Sequence, residues 1–199
     1  MLSKVEEIQK RVFDILLSIG GITLVWWMIL IAWVIATLET RSNGLFVQKR
    51  IGRGGKPFDV YKIKTMWKIA GVSTTVTTKQ DSRITKSGAF LRRFKIDELP
   101  QLFNVLFGTM SFVGPRPDVE GYADKLVGED RIILSIRPGI TGPASLKYKD
   151  EEEILAKEGD PEVYNRDIIW PDKVKINKQY IQSWSFKQDM MYIIKTIRG

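Results

Sequence analysis

Residues 15–38, ILLSIGGITLVWWMILIAWVIATL, form a run of 24 residues without a charge. As an α-helix rising ~1.5 Å per residue the run extends about 36 Å, enough to cross a hydrocarbon core ~30 Å thick. Buried helices of soluble proteins are seldom this long without a charge. A cleaved signal peptide has a shorter apolar region and a small-residue cleavage site, and no such site follows here. The run therefore predicts a retained, membrane-embedded helix, with residues 1–40 as an anchor and residues 41–199 as a folded domain outside the bilayer. Lys10 and Arg11 precede the run, and Arg41, Lys49, Arg50, Arg53 and Lys56 follow it, placed to meet membrane lipid phosphates. Because positive charge favours the cytoplasmic side, two basic flanks put both ends on one face. A re-entrant segment is expected, with Gly20-Gly21 as its flexible point and Thr23 bonding a freed carbonyl. A helix that crosses is the alternative.

Beyond the anchor, LFVQKRI and FDVYKIK alternate apolar and polar residues and predict two strands joined through Gly52 to Lys56, with Gly54-Gly55 in the turn. The glycines match neither the P-loop nor the dinucleotide spacing, so they read as a turn. GVSTTVTTKQDSRI (71–84) is polar and predicts a surface loop. In SGAFLRRFKIDELPQLFNVLFG apolar residues recur at helical spacing. Pro100 suits the first turn of a helix and Gly108 its end, so a helix starts near Leu99 with Asp97 and Glu98 at its N-terminus. SFVGPRP and RPGITGPASL predict short strands between turns, and EEEILAKEGDPEVYN an acidic, solvated helix and loop. The C-terminal PDKVKINKQYIQSWSFKQDMMYIIKTI predicts one or two amphipathic helices, with Tyr180, Ile181, Trp184, Met191 and Ile194 on apolar faces. That stripe is core by default and membrane-surface contact otherwise. The fold class is thus α+β: a membrane helix, then a small, mostly helical domain with a β-hairpin and amphipathic interfacial helices.

The formal charge of +8 lies entirely in the first half, where 17 Lys/Arg face 8 Asp/Glu; the second half has 14 against 15. Such a bias suits an anionic partner. With no Cys and no His in the chain, thiolate chemistry, zinc-thiolate sites and the usual neutral-pH proton shuttle are excluded. Catalysis must rest on carboxylates, hydroxyls, Lys, Arg and a metal, and favours a reaction that moves no proton. Asp97 and Glu98, with Arg92, Arg116 and Arg137, would suit a diphosphate substrate, whose oxygens repel an attacking anion until arginines and a divalent cation neutralise them. A carboxylate can then attack phosphorus directly. Mg²⁺ is the metal that binds few carboxylates together with substrate phosphates. Taken alone, the pair is weak evidence: such a pair is most often an acidic start to a helix, and arginines beside prolines are usually structural.

The ordered series KRVFD, VQKRIGRGGKPFDVYKIKTM, DSRITKSGAFLRRFKIDELPQLFNVL, MSFVGPRP and RPGITG resembles the bacterial sugar transferase family, the monotopic phosphoglycosyl transferases, from about Lys10 to Ile197. The resemblance implies transfer of a sugar phosphate from a UDP-sugar to undecaprenyl phosphate, with UMP released, at the cytoplasmic face of the bacterial inner membrane. It makes Asp97 the nucleophile that becomes a covalent phosphosugar, and Glu98 the residue that helps hold Mg²⁺. Arg92 and Arg116 match cationic positions facing the phosphates. Arg137 in RPG and Arg83 in DSRIT match motifs and are assigned to the phosphates with them. Two positions differ from the family pattern: Trp26-Trp27 stands where a Ser-Pro pair breaks the membrane helix, and Thr109 where an acidic residue is usual.

Three other classes compete. A membrane-tethered nucleic-acid binder would explain the basic half but not the carboxylate pair, and no nucleic-acid motif is present. A metal-dependent phosphohydrolase would use the same groups to activate water. A catalytically impaired scaffold of glycan assembly would fit the two departures. UMP release from UDP-sugars, and its dependence on lipid phosphate, separates them.

Overall fold

The structure, a computed structural model, describes residues 2–67 and 81–198. The polar loop expected at 71–84 lies outside the described residues except for 81–84. Helix α1 runs unbroken over Lys4–Thr40. It starts in a capping box: the Ser3 hydroxyl accepts from Glu6 N–H, and the Glu6 carboxylate accepts from Ser3 N–H at 2.7 Å. It ends where Arg41 turns left-handed at φ 49°.

The bend expected at Gly20-Gly21 is absent. Nothing in the segment removes a backbone donor as proline would. Ser18 and Thr23 donate their hydroxyls to carbonyls three residues back, at 2.9 Å each, inside the helix. Gly21 faces Leu102, whose methyl carbon would stand 3.3 Å from an added Cβ. Gly21 thus admits a neighbour, Gly20 meets open space, and neither breaks the ladder.

One stripe of α1 is buried: Lys10, Asp14, Ser18, Ala32 and Ala36. Against it pack several later segments, from the hairpin to the C-terminal helix. Strands β1 (Leu45–Ile51) and β2 (Pro57–Ile63) form the expected antiparallel hairpin, with Leu45 opposite Ile63 and Ile51 opposite Pro57. Gly54 and Gly55 take φ 72° and 78° in the turn, which no other residue adopts cheaply. Helix α2 is Lys86–Arg93 and α3 is Gln101–Phe107. Pro100 caps α3, and Gly108 ends it at φ 83°.

Two three-residue strands, β3 (Ser111–Val113) and β4 (Gly139–Thr141), pair in parallel. They approach so closely that a Cβ on Gly139 would lie 2.2 Å from the Gly114 nitrogen. SFVGPRP and RPGITG are therefore one structural unit. Helices α4 (Pro143–Lys147), α5 (Glu151–Leu155), α6 (Pro161–Tyr164), α7 (Trp170–Gln182) and α8 (Phe186–Arg198) complete the fold. The C-terminal segment is two helices, joined at Ser183-Trp184-Ser185. Its apolar stripe divides: Tyr180 and Ile181 are buried in the largest core cluster with Trp184 against it, whereas Met191 and Ile194 are exposed.

Candidate active site

The site lies where α2, α3, the hairpin and the turn after β3 meet. Between α2 and α3 the chain must reverse within a few residues. Lys95 does this by taking φ 56°, uncommon for a residue with a side chain, and a 3₁₀ turn over Ile96–Glu98 follows. The pair expected at the start of α3 thus sits in its own turn, just ahead of the helix. This turn sends the two adjacent carboxylates into different surroundings.

Glu98 is held by two cations. Arg116 donates to it from both terminal nitrogens, at 2.5 and 3.3 Å, and Lys62 Nζ lies 3.3 Å away. Burial works against the charged form of Glu98, but Arg116 and then Lys62 outweigh it and hold this carboxyl below its ordinary range. Asp97 is 6% exposed, and its Oδ1 has no hydrogen-bond partner among the described residues. Burial, and after it the negative charge of Glu98, pushes its pKa up to about 6, against the pull of Lys62, Arg92 and Lys95. One carboxylate is locked and neutralised while its neighbour is dry and free. Where environments drive two carboxyls apart in this way, they take different roles.

Arg116 reaches Glu98 because the close β3–β4 crossing turns the Gly-Pro-Arg-Pro segment over the dyad; its guanidinium also donates to the Ile140 carbonyl at 3.4 Å. Arg92, in the last turn of α2, acts electrostatically on Asp97 and pairs with Glu152 of α5. The structure therefore brings Asp97, Glu98, Arg92 and Arg116 together. It does not bring Arg137 to them: Arg137 Nε donates to the Gly108 carbonyl at 2.9 Å. Arg11 donates to the carbonyls of Val105 and Leu106, so the two arginines jointly satisfy the C-terminus of α3. Arg83 forms a forked ion pair with Asp81, at 2.6 to 3.1 Å.

Thr109 does not touch the dyad. Its hydroxyl donates to the Asn104 carbonyl and accepts from Asn104 Nδ2, at 3.1 Å each. The Asn104 amide in turn bonds β2, accepting from Tyr61 N–H at 3.0 Å and donating to the Asp59 carbonyl at 2.7 Å. This brace fixes β2 against α3, and with it Lys62 against Glu98.

Lys62 is a functional candidate that the sequence reading missed, and Arg50, expected at lipid phosphates, turns instead toward the site. Their register partners, Phe46 and Phe58, lie on one face of the hairpin, so strand alternation sets both cations on a single side. Lys62 meets Glu98, while the charge of Arg50 is felt by Asp118, Arg116 and Glu98. Asp118, two residues after Arg116, is raised to about 6 by burial, opposed by Lys173 and Arg50. The alternation was visible beforehand; what that side faces was not.

A match to the family model for bacterial sugar transferases covers residues 5–199. This chain belongs to the bacterial sugar transferase family. The sugar transferase is 46% identical over 121 residues, 60% of its length, to a putative undecaprenyl-phosphate N-acetylgalactosaminyl 1-phosphate transferase of Bacillus subtilis, 68% of which is covered. Over 96% of its length it is 32% identical to a UDP-glucose:undecaprenyl-phosphate glucose-1-phosphate transferase of Caulobacter vibrioides, covering 69% of that protein. With the Klebsiella pneumoniae protein of the same description it shares 34% identity over 98% of the chain, and there it spans 41% of the relative's length.

Proposed function

We propose that this sugar transferase moves a sugar 1-phosphate from a UDP-sugar to undecaprenyl phosphate through an aspartyl intermediate on Asp97. The observation that carries the proposal is the asymmetry of the dyad: Asp97 is buried with an unpartnered oxygen, and Glu98 is saturated by Arg116 and Lys62. An Asp97 oxygen attacks the β-phosphorus of the donor. The bond from that phosphorus to the bridging oxygen breaks, and UMP leaves with the electron pair. A phosphate oxygen of the lipid then attacks the same phosphorus, and the aspartyl oxygen–phosphorus bond breaks to restore the carboxylate. Both nucleophiles are anions, so no proton moves, in keeping with a chain without histidine. Arg92, Arg116 and Lys62 offset the charge gathered on the phosphoryl oxygens.

Among the described residues no group of three or more His, Asp or Glu is placed to hold a metal. The donor set fits a Mg²⁺ held mainly by substrate phosphates, with Glu98 supplying a carboxylate oxygen in exchange for its contact to Lys62. When bound, the ion adds charge neutralisation at the phosphates. EDTA should abolish UMP release and Mg²⁺ restore it; full activity in EDTA would remove the metal from the reading. The relatives support the acceptor through their names, and the exposed apolar face of α1 supports a membrane site, which we place on the cytoplasmic face of the inner membrane.

The test is mass spectrometry after incubation with UDP-sugars and no acceptor. The peptide carrying Asp97 should gain a phosphosugar, and Asp97→Asn should remain folded with turnover lost. Substantial UMP release by Asp97→Asn, or an adduct on another residue, sinks the assignment.

A further inference from the structure

Helix α5 carries three consecutive glutamates, and two of them face cations of the site. Glu151 accepts from Lys173 Nζ at 2.6 and 2.8 Å, and its charge is felt by Arg116 and Asp118. Glu152 pairs with the guanidinium of Arg92, the cation that also acts on Asp97. The helix itself is anchored: Leu155 is 3% exposed, and the Lys173 pair ties its first turn to α7. The Glu152 side chain, by contrast, is 44% exposed while its arginine partner is 23% exposed. Carboxylate and phosphate present the same forked acceptor geometry to an arginine.

We propose that Glu152 is a built-in competitor for the substrate's phosphates, occupying Arg92 in the free protein and yielding it when a nucleoside diphosphate binds. This rests on the reading of the site as a UDP-sugar site. Rotation of one long, solvent-reaching side chain suffices for the exchange, because the anchors of α5 stay in place. Arg92 is paired in both states, so the half-buried guanidinium is never left bare. Apparent affinity is lowered by the fraction of molecules in which Arg92 is taken, and release of the nucleotide product is helped by the same carboxylate.

UDP binding to the full chain in nanodiscs, followed by calorimetry, tests this. Glu152→Gln keeps shape and removes charge, and should tighten UDP about two- to fivefold, the range set by a partly exposed ion pair. In an Arg92→Ala background the same change should do nothing. In turnover with a UDP-sugar, Glu152→Gln should lower KM without raising kcat. Glu129→Gln, which removes a charge from the pair with Lys178, should leave UDP binding unchanged. Unchanged or weaker UDP binding by Glu152→Gln overturns the proposal, as does equal tightening by Glu129→Gln, which would mark a general charge effect. A wild-type protein that binds no UDP overturns instead the reading of the site, and the competitor with it.

Discussion

The two carboxyls of the dyad differ by one position in sequence and by their whole electrostatic setting, and the difference is measurable as a pH dependence. On the proposed mechanism Asp97 attacks only when ionised, and its pKa is raised to about 6. Because kcat/KM reports the free enzyme, it should rise about tenfold per pH unit below about 6 and level off above. The stability contribution of Asp97 runs the other way: a raised carboxyl favours the fold below its unfolded pKa, and the benefit is lost as pH rises through about 6. Neighbour variants should move the midpoint in opposite directions. Lys62→Met removes a cation that lowers the Asp97 pKa and should shift the midpoint up; Glu98→Gln removes a like charge and should shift it down. Profiles measured between pH 4.5 and 8 that coincide for all three proteins would disprove the coupling. Asp97, Glu98 and Arg116 drew attention as adjacent carboxylates and a proline-flanked arginine, but their spacing alone was weak and it was the resemblance that singled them out. Their division of labour was not legible, since it depends on Lys62, 36 positions from Glu98 and brought in by the hairpin.

Elements with local causes were legible and those with distant ones were not. Pro100 and Gly108 bound α3, and Gly54-Gly55 close the hairpin, because proline and glycine act on their own backbone. The continuity of α1 was misjudged: charge on the flanks suggested a bend, while nothing inside the segment has the geometry to make one. What holds α1 to the C-terminal helices is also non-local. Lys10 Nζ reaches Asp189 of α8 at 2.5 Å, and Asp189 also accepts from Tyr180 of α7 at 2.6 Å and from Trp184 at 3.2 Å. All of this network is buried or nearly so, and the two ends of the ion pair are 179 residues apart. Lys10→Met should therefore destabilise the protein by about 3–5 kcal/mol, the cost of leaving one charge of a buried pair alone. Adding Asp189→Asn should recover part of that loss by removing the orphaned charge. Thermal unfolding in nanodiscs reads both; a Lys10→Met protein as stable as wild type would show that the pair does not couple the helices.

Across the whole molecule, α1 is packed on one side nearly from end to end. Arg11 meets α3, Asp14 accepts from Ser111 and from Phe112 N–H of β3 at 3.1 Å, and Ala32 and Ala36 pack with Ile63 and Leu91. Glu39 bonds Lys86 N–H and Ser87 at the start of α2. From Lys10 to Glu39 these contacts cover about 44 Å of helix, more than the ~30 Å hydrocarbon core. A helix crossing the bilayer with this packing kept would carry β2 in with it, including Asp59 and Lys62, at a cost in charge burial. The opposite side of α1 exposes Leu16, Leu24, Trp27, Ile31, Ile35 and Leu38. We propose that the helix is embedded at one face of the membrane, its packed stripe toward the domain and its exposed apolar sides in lipid, with both basic flanks on that face. The same-side arrangement expected from the basic flanks is then reached without a bend. Cysteines can be introduced at Val5, 64% exposed near the start of α1, and at Ser42 just past its end, in a chain that has no other thiol. In intact cells an impermeant maleimide should label neither until lysis, whereas external labelling of Val5→Cys with protection of Ser42→Cys would mean that the helix crosses and that its packing along α3 and β2 is not kept in the membrane.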